Sequence, residues 1–194
     1  MEYGAKNIRV GKITAEPAAA MPTYDGAILL GELNQLADNP SYVEAKAAGD
    51  NNALARYIKA FSQATVDVTV LDLSNEVASM VLGATIESGS QKGLSFSGND
   101  MPPYVGLGFF TQNLMAGNQV KYQAIFYPKC KASMQGKTYD TKGESIALSN
   151  SKLQFTASVC NKDAKWKMES EYLDTEAAAE AWLEAIMPMA VSST

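Results

Sequence analysis

The chain has 194 residues, among them 16 Lys plus Arg, 21 Asp plus Glu and no His, and its formal net charge at pH 7 is −5. Hydrophobic residues make up 46% and charged residues 19% of the chain, which is typical of a globular protein that can bury a sizeable core. The absence of His excludes a Ser-His-Asp triad, a Cys-His nucleophile pair and a His metal ligand. Because the chain is acidic overall, it is not expected to bind nucleic acid through a general basic field.

Two cysteines, Cys130 and Cys160, are too few for a four-sulfur zinc site or for a disulfide-rich secreted scaffold. We expect both to stay reduced and to be buried as small apolar side chains. No run of about 18 apolar residues occurs, and the first residues lack a basic head followed by an apolar stretch. We therefore expect neither a signal peptide nor contact with a membrane.

The first predicted elements are strands. Apolar and polar residues alternate over residues 8–14, which predicts a half-buried strand, and residues 27–36 predict a second strand that Gly31 weakens. Residues 15–26 contain two Pro and one Gly and predict a loop between these strands. Residues 1–7 are expected to form an N-terminal arm.

A long hairpin is predicted over residues 42–60, because strand-like segments flank the turn sequence Gly49-Asp50-Asn51-Asn52. Gly, Asn and Asp tolerate the positive φ that a tight turn requires. The strand that follows, residues 63–71, has the clearest alternation in the chain, with apolar side chains on one face and Asp67 and Thr69 on the other.

Two helices are predicted. Ser74 can cap a helix over residues 75–82, which ends at a glycine. A C-terminal helix is predicted over residues 174–187, with Asp174 or Thr175 as its cap and a proline just after it.

The remaining patterns complete the fold prediction. Further strands are predicted over residues 104–110, 119–127, 145–148, 152–159 and 166–172. With about eight or nine strands and two short helices, the fold class is α+β and mostly β. We expect one domain over residues 1–194, built as an antiparallel β-sandwich or partial barrel with one flanking helix and a C-terminal helix.

Charge is distributed unevenly along the second half of the chain. Residues 121–167 contain nine Lys and three acidic residues, a local net charge of +6, whereas residues 169–184 contain six acidic residues and no basic one. These segments can be two solvated faces. Alternatively, the basic segment of one copy can meet the acidic segment of another, an arrangement that sets register and partner choice.

No pattern of catalytic residues occurs. Gly136-Lys137-Thr138 lacks the upstream glycine of a phosphate loop, and Gly106-Leu107-Gly108 lacks the third glycine of a dinucleotide fingerprint. Glu169 and Glu171 belong to a run of acidic residues, which is typical of a surface and not of a glycosidase cleft. We therefore expect no enzymatic activity, no cofactor and no metal site.

Several segments, in their order along the chain, resemble one known protein family. They are residues 3–8, 66–71 with the short helix up to residue 83, 127–132, 136–138, 141–146, 153–158 and 172–183. Together they resemble the major tail proteins, or tail tube proteins, of long-tailed non-contractile bacteriophages that infect Gram-positive bacteria. The resemblance covers most of the chain, and only the combination of segments is specific, since each segment alone is weak.

The resemblance implies a structural virion protein with a tail-tube-like β-sandwich that assembles into hexameric rings. The rings would stack into a hollow tube through which double-stranded DNA passes. The partners would be other copies of the chain and the tape measure, tail terminator and distal tail proteins, and assembly would take place in the cytoplasm of the host bacterium. Long alternating strands such as residues 66–71 would join edge to edge between copies.

Two sets of residues follow from this resemblance as candidates for function. The first set lies on the polar face of the inner strands and would line the bore: Asp67, Thr69, Gln154 and Thr156. The second set belongs to the long hairpin and would reach a neighbouring ring or subunit: Tyr42, Gly49, Asp50, Asn51 and Asn52.

One alternative from another functional class stays open at this point. A soluble β-sandwich or barrel that binds a small molecule or a carbohydrate is compatible with the same strand pattern. Such a module would show a deep apolar pocket and a stable monomer or dimer, whereas a tube subunit would self-assemble.

Overall fold

The computed structural model of the chain describes residues 1–49, 52–137 and 150–190. These residues form eleven β-strands, two α-helices and a short 3-10 helix (Ala116–Asn118). The strands and helices in chain order are β1 (Glu2–Ala15), β2 (Thr23–Tyr24), β3 (Ile28–Leu29), β4 (Leu33–Gly49), β5 (Asn52–Val70), α1 (Asn75–Leu82), β6 (Thr85–Glu87), β7 (Gly93–Ser95), β8 (Tyr104–Leu114), β9 (Val120–Met134), β10 (Ser151–Ala157), β11 (Met168–Glu169) and α2 (Glu176–Ile186).

One large antiparallel sheet dominates the fold. Its strand order is β2-β1-β8-β9-β10-β5-β4, with β3 attached to β1 and β11 attached to β9. A separate small sheet consists of β6 and β7. The prediction of a mostly β, antiparallel α+β fold with two helices is confirmed, and the sheet does not close into a barrel.

Two hydrophobic cores lie on opposite sides of strands β8 and β9. The main core brings alternate side chains of β1, β8 and β9 together with those of β5, β10 and helix α1, so the two halves of the sheet form a sandwich around it. The second core lies between α2 and the outer face of β8 and β9, where Leu183 packs with Phe110 and Phe126. Helix α2 therefore covers the outside of one half of the sandwich.

Helix α1 has the predicted bounds, and α2 (Glu176–Ile186) is shorter than the predicted residues 174–187 because Thr175 is its N-cap and Met187 its C-cap. The Ser74 hydroxyl accepts a hydrogen bond from the Val77 amide at 3.3 Å, and Gly83 ends α1 in the left-handed conformation with φ of 73°. The Thr175 hydroxyl caps α2 by accepting from the Ala178 amide at 3.2 Å. Local capping chemistry was therefore sufficient to place these two elements.

The predicted strand over residues 27–36 is interrupted. The chain instead forms β3 and then β4, with Gly31 between them at φ of 143°. A Cβ atom at this position would collide with the carbonyl oxygen of Asp72. Only glycine adopts this backbone conformation without strain, so the strand is broken here and not merely weakened.

Three other predicted boundaries are corrected. Residues 2–7, expected as an arm, belong to β1 and pair with β8, for example Tyr3 with Gln112. Strand β9 continues to Met134 across Pro128, near a register shift in its pairing with β8, where a proline is tolerated. The strand expected over residues 166–172 is reduced to β11, and the strand expected over residues 145–148 lies outside the described residues.

The predicted hairpin is confirmed and is longer than expected. Strands β4 and β5 pair from Leu33 with Val70 to Gly49 with Asn52. Strand β10 pairs with β5 only up to Ala64, so the remainder of β4 and β5 extends beyond the sheet as a two-stranded ribbon. We call residues 41–63, as far as they are described, the projecting hairpin.

Candidate functional site

The four residues predicted to line a bore share one face of the sheet. Asp67 and Thr69 lie on β5, Gln154 and Thr156 lie on the neighbouring strand β10, and their partly exposed side chains alternate with buried ones. Asp67 and Gln154 are directly opposite each other, and Gln154 Nε2 donates to Asp67 Oδ1 at 2.8 Å. The structure therefore brings all four side chains together on one polar surface.

This surface extends over four strands, and we call it the polar sheet face. Strand register places further side chains on the same side: Gln35, Ala37 and Asn39 of β4, Thr65 of β5, Lys152 of β10, and Lys131 and Ser133 of β9. Most of these side chains are short and uncharged. The charged ones are a single carboxylate, Asp67, and two ammonium groups, Lys131 and Lys152, so the face is close to neutral.

The polar sheet face lies on the outside of the half of the sandwich that α2 does not cover. Its strands turn Val66, Val68 and Phe155 inward to the main core, and α1 packs on that inner side. Helix α2 packs on β9 at Ala124 and Phe126, and Lys131 and Ser133 are not part of that contact. Two opposite outer surfaces result, one helical and one a broad open sheet.

The projecting hairpin has one face of charged and aromatic side chains that bind each other. Glu44 Oε2 lies 3.4 Å from Lys46 Nζ, and Glu44 Oε1 lies 3.5 Å from Lys59 Nζ. The Lys59 ammonium lies 4.6 Å from the centre of the Tyr42 ring. A hydrogen bond from Tyr57, assisted by the two lysines, lowers the pKa of Glu44 from its ordinary value. The charged groups of Glu44, Lys46 and Lys59 on this face therefore interact with one another.

The opposite face of the hairpin is apolar and uncovered by the described residues. Val43 and Ile58 are 61% and 67% exposed, and Ala45 and Ala60 lie beside them as cross-strand partners. A two-stranded ribbon is marginally stable in water by itself, and a contiguous exposed apolar surface is typical of a binding site. The apolar hairpin face, defined by these four residues, is therefore a candidate contact surface.

The predicted hairpin contacts are only partly located by the structure. Tyr42 is 45% exposed but lies on the charged face, and Gly49 pairs with Asn52 at the end of the ribbon. Asp50 and Asn51 lie outside the described residues. Sequence reasoning missed Val43 and Ile58, although the alternation of apolar and charged residues from 43 to 46 could have revealed them.

Strand 66–71, expected to join the sheets of neighbouring copies, cannot do so. Residues Thr65–Val70 of β5 pair with β10 on one side and with β4 on the other, so their backbone groups are already bonded. The terminal strand on this side of the sheet is β4, which in the described chain pairs only with β5. An edge contact between copies would therefore use β4.

The acidic segment is paired mostly within its own chain. On α2, Glu176 lies 3.1 Å from Lys6 Nζ, Glu180 accepts from Asn7 at 2.6 Å, and Glu184 accepts from the buried Arg9 at 3.0 Å. Asp174 pairs with Lys121, and Glu169 pairs with Lys167. The predicted attraction between basic and acidic segments of different copies is thus largely replaced by contacts inside one copy.

The described residues include both cysteines of the chain and most of its carboxylates. They contain no group of three or more Cys, Asp or Glu placed to hold a metal ion. Both cysteines are buried and free, and burial raises the pKa of the Cys130 thiol, which makes the thiolate unfavourable. None of the described helices is long and apolar enough to cross a membrane.

No protein-family model matches this chain, and no curated protein is significantly similar to it. The function must therefore be inferred from the residues and their geometry.

Proposed function

We propose that the chain is a structural subunit of a phage tail tube, which assembles into stacked hexameric rings around a channel for double-stranded DNA. The observation that carries the proposal is the division of the molecule into an open polar sheet face and an opposite face covered by α2. A subunit of a hollow tube needs two such surfaces, one toward the channel and one toward the outside.

The polar sheet face suits the wall of a DNA channel. A wall rich in Lys or Arg would bind phosphates and release counterions, and the affinity would rise steeply with each contact. Here one carboxylate lies among two lysines and a majority of neutral side chains. Such a wall would let DNA slide without holding it.

The projecting hairpin suits contact with another copy. Its apolar face is exposed in the isolated chain, and the ribbon reaches beyond the body that supports it. Ring formation requires a head-to-tail contact that closes, and stacking adds a contact along the tube axis. The hairpin would supply one of these contacts and the β4 edge the other. The tape measure, tail terminator and distal tail proteins would be further partners.

Electron microscopy of the purified protein tests the proposal. We expect rings or tubes that become more abundant with concentration, with a bore wide enough for duplex DNA. Particles that stay monomeric at every concentration would contradict the proposal.

The alternative of a binding module would place its ligand in a cavity of the fold. A cavity of about 460 Å³ lies between β1 and β4 and is lined in part by Leu36, Asp38, Tyr127 and Lys167. Its polar groups include the Asp38–Lys167 ion pair at 2.9 Å, so the cavity is not the deep apolar pocket that such a module would show. Thermal stabilisation of a monomeric protein by a sugar or small molecule would favour this second function.

A further inference from the structure

We infer that Trp166 and Lys167 are positioning residues that fix the direction in which the projecting hairpin leaves the sheet. This inference rests on the proposed function only where it concerns assembly. The contacts that carry it lie within one chain, at the base of the hairpin.

Trp166 holds the β5 strand of the hairpin. Its ring stacks on Phe61, with 4.4 Å between ring centres and 12° between ring planes. Phe61 in turn meets Tyr42, its cross-strand partner, edge to face at 6.1 Å. Tyr42 and Phe61 form a cross-strand pair near the start of the ribbon, so the stack acts on the hairpin at its base.

Lys167 holds the β4 strand. Its Nζ atom lies 2.9 Å from Asp38 Oδ2 on β4 and 2.8 Å from Glu169 Oε1 on β11. The side chains of Lys167 and Asp38 are about one-fifth exposed, at 21% and 20%. An ion pair that is shielded in this way is screened less by salt than one at an open surface. Lys167 therefore holds β4 three residues before the hairpin begins, and the adjacent Trp166 contacts the first ring within the hairpin.

The segment that carries Trp166 and Lys167 is anchored on the core and not on the hairpin. Directly after them, Met168 pairs with Phe126 and Glu169 pairs with Ile125, both on the central strand β9. The Trp166 ring also lies 6.4 Å from Tyr127 of β9. Because the anchor is independent of the ribbon, it can set the orientation of the ribbon relative to the body.

The base of the hairpin needs such support. Ser41 pairs with Gln63, but the next pair is Tyr42 with Phe61, which leaves Ser62 as an extra residue in β5. A bulge of this kind bends the strands and interrupts the ladder. It lies just beyond Ala64, where the pairing of β5 with β10 ends. Without the side-chain contacts, this is the point at which the ribbon would swing.

Spin-label distances test the inference directly. The labels are attached to Ala47→Cys on the hairpin and Ala181→Cys on α2, both exposed positions, whereas native Cys130 and Cys160 are buried. The measurement uses an Ile58→Lys background, so that the protein stays monomeric. We expect one narrow peak in the distance distribution when Trp166 is present. In Trp166→Ala we expect this peak to be replaced by a broad distribution.

Matched variants separate orientation from stability. Trp182→Ala removes the other tryptophan, which packs against the second core under α2, and should keep the narrow peak. Trp166→Phe retains a ring that can stack and should restore the narrow peak. Lys167→Gln leaves Trp166 in place and should broaden the peak, which keeps the test decisive if Trp166→Ala does not fold. An unchanged narrow peak in Trp166→Ala or in Lys167→Gln would overturn the inference.

Tube assembly by the same variants is measured separately, in protein without spin labels and without the Ile58→Lys substitution. We expect Trp166→Ala to form fewer tubes than Trp182→Ala, although the apolar hairpin face is intact in both. If no variant and no parent protein forms tubes, the proposed function fails, while the distance measurement still decides the role of Trp166 and Lys167.

Discussion

At the scale of single residues, burial determines how several side chains ionise. Burial raises the pKa of both Tyr24 and Tyr127 well above the ordinary value of 10.0, and neighbouring acidic groups raise both further. The Tyr24 hydroxyl also donates to the Pro128 carbonyl at 2.8 Å, a bond that exists only with the proton in place. The folded chain therefore keeps two protons that the unfolded chain releases in alkaline solution.

Stability should consequently fall as the pH rises above 10.0, the value at which tyrosines of the unfolded chain ionise. Below that pH the contribution of both tyrosines to the free energy of unfolding is fully present. Above it, each tyrosine lowers the free energy of unfolding by up to about 1.4 kcal/mol per pH unit. Lys167 acts in the same direction, because its hydrogen bonds to Glu169 and Asp38 outweigh desolvation and raise its pKa. Urea unfolding at neutral and alkaline pH measures how steeply the free energy of unfolding falls with pH.

The control for this prediction is Tyr24→Phe. It should lose about 1 kcal/mol at neutral pH because the hydrogen bond to the Pro128 carbonyl is removed, and it should show a shallower alkaline slope. An alkaline slope equal to that of the parent protein would show that Tyr24 titrates normally in the folded state.

At the scale of elements, the hairpin is unusual because it exposes apolar side chains on a ribbon that the body does not cover. Ile58→Lys should abolish or strongly reduce self-association, because a charge on the apolar hairpin face would be buried in the contact. The free energy of unfolding should change by less than about 0.5 kcal/mol, as is usual for exposed positions. Analytical ultracentrifugation and thermal unfolding measure the two effects.

Ile86→Lys is the matched control for the hairpin variant. Ile86 is 50% exposed, but it lies on the small sheet of β6 and β7 and not on the hairpin. We expect this variant to assemble as the parent does. Equal loss of assembly in both variants would mean that general surface hydrophobicity, and not the hairpin, drives association.

At the scale of the whole molecule, the position of charge relative to the two outer surfaces should decide how an assembled tube treats DNA. Asp67→Lys would leave three lysines and no carboxylate on the polar sheet face, and repeated around a ring this creates a basic wall. Tubes of the variant should retain DNA at low salt and release it as salt rises, whereas parent tubes should not retain it. Cosedimentation of tubes with linear DNA measures the difference.

Glu180→Lys makes the same change of charge on α2, the opposite side of the molecule, and is the control. It should leave the retention of DNA nearly unchanged. If Glu180→Lys retains DNA as well as Asp67→Lys does, the polar sheet face is not the wall of the channel. Loss of the Asp67 hydrogen bond to Gln154 should cost only about 1 kcal/mol, so both variants are expected to fold.

Local chemistry in the sequence was sufficient for elements whose signals lie close together in the chain. Ser74, Gly83 and Thr175 define the helix ends through contacts a few residues away. The alternation around Asp67 placed the predicted bore residues on one face, because successive side chains of a strand point to opposite sides. The hairpin and the mostly β class follow from the same kind of local pattern.

Only the tertiary structure decided which strands and charges become neighbours. Asp67 meets Gln154, 87 positions away, and Lys6 meets Glu176, 170 positions away, and no local pattern encodes either pairing. No local pattern encodes that β4, and not β5, is the edge strand of the sheet. The stacking of Trp166 on Phe61 is likewise visible only in the folded chain. Register and core packing select such contacts over the whole chain at once, so they become visible only when the strands have been put in order.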